Sequence, residues 1–299
     1  MNSAEDNGID LIDSHTHAQP TPEDGKAFAA RYAFDSDRRG TVDELLDTMR
    51  RSHIERTMIV PWLPAQELVA DKTALGVDRD EAVADVIGQW QSLNRWATDA
   101  VAAHPTELAC LVGVDPVLMG EAVVAAEVAE QIGRGACGVK VAPMFIGRRP
   151  DDETMEVVWR TARDHGVFVL SQAGGTRRAD EVEAWGHPAH FDSVLRSYPT
   201  VTVQLAHLGI GAEADVAALT SRYPNVVADT SMQLGVTEAG ELAATIRRIG
   251  VDRVLFGTNY PLVDQADCVA IFEALPLTPD ERHAIAYTNA KRLIAGGKN

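Results

Sequence analysis

Short apolar runs recur along the chain, and most are followed by a stretch with helical spacing. Runs at 9–14, 56–60, 108–114, 138–142, 167–170, 201–206, 226–228 and 253–256 are rich in Val, Ile and Leu. Pro61, Asp115-Pro116 and Pro143 stop three of them. Apolar runs of this length suit strands covered on both faces, as in a parallel sheet. Helical patterns fill 42–51, 81–103, the stretch from Pro116 to Ile132, and 152–165. They resume at 189–197, 212–222, 236–248, 264–274 and 279–294. Within 81–103, Val83, Val86, Ile87, Trp90, Leu93, Trp96, Ala97 and Val101 fall near helical spacing. Thr41 and Glu44 have the spacing of a capping box. Residues 1–8 read as a loose tail, and 18–40 and 61–80 as long polar connections. Eight strand–helix units predict a closed (β/α)8 barrel, a single domain over 9–299. An open doubly wound sheet is the rival. The strand count and the lack of a glycine-rich phosphate loop after the first strand speak against it.

In such a barrel the strand C-terminal ends converge on one mouth, where chemistry collects. The residues there are Asp13, His15 and His17, then Pro61 and Trp62, Asp115, Lys140, Gln172, His207, Asp229, Thr258 and Asn259. His15 and His17 are two apart, so a strand turns both to one face. Paired imidazoles suit a metal or a proton-transfer site; alone they could equally close a strand through hydrogen bonds. His207 supplies a third partner, or else orients its loop. Lys140 lies between Val139 and Val141, a costly place unless its head reaches the mouth, an anion or the surface. Asp229 either orients an imidazole or caps the following turn. Trp62 either lines a ligand wall or packs a loop. Arg148, Arg149, Arg177 and Arg178 lie in mouth-side connections, where they either form a solvated charged loop or grip a carboxylate; Arg177 is the one carried forward as a substrate-binding candidate.

The net charge of −17, from 27 basic and 44 acidic side chains, argues against a nucleic-acid partner. It leaves room for a small anionic substrate in a locally basic pocket. Cys110, Cys137 and Cys268 have no metal-knuckle or redox spacing and read as small buried side chains. The polar start is unlike a signal peptide, and no run is apolar enough to span a membrane. A cytoplasmic protein is expected.

Several segments together resemble the amidohydrolase superfamily, in the branch of aminocarboxymuconate-semialdehyde decarboxylase and γ-resorcylate decarboxylase. They are Ile12-Asp13-Ser14-His15-Thr16-His17, the stretches 94–105 and 198–209, and the segment from Asn225 to Ser231. Phe256-Gly257-Thr258-Asn259-Tyr260-Pro261 and Asn289-Ala290-Lys291-Arg292-Leu293 complete the set. The resemblance spans about 9–294. It implies a divalent metal, usually zinc, on the two strand-one histidines, a strand-five histidine and a strand-eight aspartate. The strand-six histidine, His207, would be a catalytic or supporting partner. Here Gln172 stands at the strand-five position and Asn259 at the strand-eight position. Only His15 and His17 remain as metal ligands of that set.

An amide oxygen brings no charge to a metal, and Asn259 cannot serve as a general base. The expectation is therefore acid–base chemistry on a small organic or aromatic acid. Decarboxylation, isomerisation or cyclisation needs no activated water, and hydrolysis remains open. His15, His17, His207 and Asp229 would be catalytic; Lys140, Gln172, Asn259, Trp62 and Arg177 would bind substrate. The metal would be absent or a weakly held Zn or Mn ion. The alternatives are an ordinary zinc- or manganese-dependent hydrolase or decarboxylase, and a non-catalytic binding member. Related barrels form dimers or tetramers, so a homo-oligomer is also expected.

Overall fold

The structure is a computed structural model, and it describes residues 10–31, 37–175 and 185–296. The tail expected at 1–8 lies outside the described residues, as do Arg177 and Arg178.

Eight parallel strands form one sheet in sequence order: β1 (Leu11–Thr16), β2 (Ile54–Ile59), β3 (Leu108–Gly113), β4 (Gly138–Val141), β5 (Phe168–Ser171), β6 (Val203–Leu205), β7 (Val226–Asp229) and β8 (Val254–Leu255). The sheet closes on itself. Ser14 N donates to Phe256 O at 2.9 Å, and Thr16 bridges Tyr260 in parallel. Helices alternate with the strands around the outside, giving a (β/α)8 barrel.

Two hydrophobic layers follow from strand alternation. Outward-facing residues such as Leu11, Cys110, Val112, Val139, Val169 and Val203 pack against the helices. Inward-facing Ile12, Met58, Val60, Leu111, Leu170 and Leu255 fill the barrel. The closing helix Asn289–Gly296 lays Ala290, Leu293 and Ile294 on that inner cluster. One end of the barrel is thus plugged with apolar side chains, and chemistry is left to the other. Cys110 and Cys268 are buried, while Cys137 is only half-buried.

Three expected segments need correction. The connection 18–40 contains the helix Pro22–Arg31, and 61–80 contains the helix Ala65–Ala74. The pattern at 279–294 is broken: Pro279–His283 and Asn289–Gly296 flank a π-helical turn at Ala284–Thr288. A four-residue helix, Pro143–Ile146, also follows β4 directly. Pro143 ends the strand as expected and then opens this helix at its first turn, where its missing N–H costs nothing.

Candidate active site

The polar floor is built from the ends of several strands. His15 and His17 have ring centroids 5.0 Å apart, and His15 stacks on His207 at 5.1 Å. Strands 1 and 6 therefore do deliver their histidines to one place. Each imidazole is fixed by its Nδ1 partner. His17 Nδ1 donates to the Val60 carbonyl at 2.9 Å. His15 Nδ1 donates to Asp229 Oδ2 at 3.1 Å. The Ser231 hydroxyl donates to Asp229 Oδ1, so its oxygen accepts from His207 Nδ1 at 2.7 Å. Carbonyl, carboxylate and committed hydroxyl can only accept at these positions. All three histidines are consequently Nδ1–H tautomers with a bare lone pair on Nε2.

Asp229 is the hub. It accepts from His15 Nδ1, Gln204 Nε2 (2.8 Å), the His207 and Ser231 backbone N–H groups (both 3.1 Å) and the Ser231 hydroxyl. Burial alone would raise its pKa. The neighbouring His15 and His207 and these donors outweigh it and hold the carboxyl below the usual range. Burial has the opposite result for the imidazoles. It lowers His15 despite Asp229, lowers His17 further, and brings His207 down to about 3. The histidines are bases or ligands at neutral pH, not acids.

Lys140, at the end of β4, is only 3 % exposed. Burial lowers its ammonium to about 7, with Asp229 opposing. It is the one group of the floor poised to gain or lose a proton near neutrality.

Asp13 does not reach the cavity, although it is two residues from His15. Its carboxylate accepts from Thr258 N (3.1 Å), Thr258 Oγ1 (2.6 Å), Gln265 Nε2 (2.9 Å) and His15 N (3.2 Å). It fastens β1 to the segment after β8. There Asn259 adopts a left-handed φ of +68°, and its N–H donates to the His15 carbonyl at 2.8 Å. Gly257 lets this segment pass close: a Cβ there would lie 3.2 Å from His15 Cβ and 3.4 Å from Asp229 Cβ.

Above the floor opens a cavity of about 650 Å³. His15, His17, Lys140, Gln172, His207 and Asn259 line its base. Phe28, Trp62 and Phe145 form an aromatic wall, and Met232, Leu234, Leu262 and Ile271 lie among its aliphatic lining. Trp62 is a wall residue, packed edge-on against Phe145 at 4.8 Å and Phe28 at 5.9 Å. Gln172 Nε2 donates to the Gly174 carbonyl at 2.7 Å. Asp115 lies apart from this lining, where it caps the helix Pro116–Gly133 and accepts from Gln66. Arg148 and Arg149 pair with Asp152 and Asp151 of their own loop. Phe28, Phe145, Gln204 and Ser231 were not singled out from sequence. Gln204 alone carried a signal, as a polar residue inside the apolar run of β6.

His15, His207 and Asp229 bring ligand atoms within 4.8 Å of one another, a cluster that could bind a metal ion. Two further buried acceptors fit a cation: His15 Nε2 and Asn259 Oδ1 have no hydrogen-bond partner. The donors facing the cavity are nevertheless neutral, because both oxygens of Asp229 are already taken up by hydrogen bonds.

The sequence profile of the amidohydrolase family matches residues 12–295. The chain belongs to the amidohydrolase family. No curated protein matches it. Among solved structures it resembles 2,6-dihydroxybenzoate decarboxylase from Rhizobium, at 17 % identity and a TM-score of 0.71 over 96 % of this chain and 99 % of that one. It also resembles dihydroxybenzoic acid decarboxylase from a Polaromonas species, solved with manganese and the inhibitor 2-nitroresorcinol. That match has 18 % identity and a TM-score of 0.72 over 98 % of each chain. 5-Carboxyvanillate decarboxylase from Sphingomonas paucimobilis matches at 17 % identity, with a TM-score of 0.69 over 96 % of this chain and 99 % of that one. At these identities the likeness is one of fold. No described helix of this amidohydrolase-family chain is long and apolar enough to cross a membrane.

Proposed function

We propose that this family member is a carboxy-lyase that removes CO2 from an aromatic acid bearing a ring hydroxyl. The observation that carries the reading is the pairing of three Nδ1–H imidazoles with one buried lysine on the floor of an apolar cavity. Bases and acid are thereby separate groups. His207 Nε2 takes the proton of the ring hydroxyl, which pushes electron density into the ring. Lys140 Nζ gives a proton to the ring carbon that bears the carboxylate. The bond to the carboxyl carbon then breaks, its electron pair returns to the ring, and CO2 leaves. His207 returns its proton to the ring oxygen, and Lys140 is reprotonated from solvent. Gln172 and Asn259 hydrogen-bond the substrate, and Trp62 supports its ring.

The decarboxylases of similar fold support the reaction class, and the manganese in the Polaromonas structure supports a metal-assisted form of it. A divalent ion would be held at the His15–His207–Asp229 cluster, with the unpartnered His15 Nε2 and Asn259 Oδ1 at hand, and would polarise the substrate's oxygens. The test is CO2 release from a panel of hydroxybenzoates and hydroxynaphthoates, run with Mn²⁺ and with chelator. Turnover that is lost in both Lys140→Met and His207→Ala is expected. Turnover retained in both variants, or none with any acid under either condition, overturns the reading.

A further inference from the structure

The cavity is larger and more one-sided than a single-ring acid requires. Its 650 Å³ is roughly twenty water volumes, well beyond the volume of a single benzoate ring. Apart from Asp267, which is exposed, the charged and imidazole groups of the lining lie at its base. Among the described residues, Lys140 is the only cationic side chain of the lining and Asp267 the only carboxylate.

The remaining wall is apolar in two facing halves. On one side the rings of Phe28, Trp62 and Phe145 form a continuous edge-to-face chain that starts against His17, with the Phe28 ring 5.5 Å from the imidazole. On the other side stand aliphatic residues such as Leu234 and Ile271, out to Val236, which is 48 % exposed and marks the rim. A single ring held at Lys140 and the histidines would leave much of this surface bare to water. A second flat ring, carried on the first and directed outward, would cover it. Asp267 disfavours a second negative charge on that ring.

We infer that the acid taken by this site has two fused or joined rings, with one carboxylate and an uncharged, apolar outer half. The inference rests on the carboxy-lyase reading for the orientation of the carboxylate, and it adds the size and charge of the rest of the molecule. A flat second ring meets the aromatic chain face or edge, the geometries such rings prefer. The apolar area it buries supplies affinity that a monocyclic acid lacks.

The test is the dissociation constant of two probes, salicylate and 1-hydroxy-2-naphthoate, measured by calorimetry on the full chain. The naphthoate is expected to bind at least about tenfold tighter. In Ile271→Trp, which fills the outer half, the naphthoate is expected to lose at least about tenfold while salicylate changes less than about threefold. Retained secondary structure and salicylate binding show that the variant is folded. Equal affinity for the two probes in the parent chain, or equal losses in the variant, overturns the inference and leaves the carboxy-lyase reading standing. Failure of both probes to bind, together with no CO2 release from any acid, overturns both.

Discussion

Replacing Asp229 by Asn isolates what its charge does, because shape is kept. The amide oxygen must occupy the Oδ1 position, where the Ser231 and His207 backbone N–H groups and the Ser231 hydroxyl all donate. The amide NH2 then replaces Oδ2 and faces Gln204 Nε2 and His15 Nδ1, both donors in the parent chain. Gln204 can turn over, since its Oε1 has no partner to lose. His15 adapts only by moving its proton to Nε2. Nδ1 then accepts from the new amide, and the atom that faced the site with a lone pair carries a hydrogen. Charge-assisted bonds contribute about 1.5–3 kcal/mol and neutral ones about 1 kcal/mol. Several weakened bonds, offset by the relief of a buried charge, give a stability loss of about 2–4 kcal/mol. Activity falls further, by about 10³–10⁴-fold, the scale seen when the carboxylate behind an imidazole base is neutralised, because Asp229 also holds the Ser231 hydroxyl and the backbone N–H that fix the base His207. Denaturant midpoints give the first number, and turnover under identical conditions gives the second. Long-range ¹⁵N correlation spectra of the histidines read the cause directly, with Nδ1–H expected for His15, His17 and His207 in the parent chain. An Nε2–H signal for His15 in the parent, or an unchanged tautomer in the variant, would refute the reasoning.

Two other outcomes follow from the site. Asn259→Asp places a charge where a neutral oxygen now lies buried without a partner, so Mn²⁺ affinity measured by calorimetry should rise about 10–100-fold, or about 1.4–2.8 kcal/mol; unchanged affinity would place any ion elsewhere. In the proposed reaction Lys140 is the acid, and burial brings its ammonium down to about 7. The kcat/KM profile should therefore fall as pH rises through that value, with Lys140 protonated and competent below it. A profile flat from pH 6 to 9 would remove Lys140 from the proton transfer. Stability runs the other way. The unfolded chain keeps the lysine proton up to its ordinary range near 10.5 while the folded one loses it near 7. The cost of burying the ammonium is present in full below 7 and is relieved between the two values.

Much of the barrel is legible because a covered parallel strand needs an unbroken apolar run, and Pro61, Asp115-Pro116 and Pro143 mark ends. The helices Pro22–Arg31 and Ala65–Ala74 are not legible for a physical reason. Each buries only two residues, Gly25 and Ala29 in one, Ala65 and Val69 in the other, so neither writes a periodic stripe. The second has Pro64 at its cap and no side-chain capping bond. Phe28 and Phe145 were missed with the helices that carry them. His15, His17, Lys140, His207 and Asn259 were findable because strand ends in a barrel have a common destination. Most of the hydrogen bonds that make Asp229 a hub are not written in spacing: Ser231 is a local partner two residues on, but Gln204 and the His207 N–H meet Asp229 only once β6 and β7 are in register.

The seam between the first and last strands has a consequence for how the protein is made. Asp13 and His15 lie on β1, yet the partners of Asp13 (Thr258 and Gln265) and the neighbours of His15 (Asp229, Gly257 and Asn259) come more than two hundred residues later in the chain. A ribosome must finish nearly the whole barrel before the first imidazole has a partner. A chain cut short just before Thr258 would carry all three histidines and lack the clasp that fastens β1. Lesions in the segment after β8 would therefore be felt at Asp13 and His15 on β1.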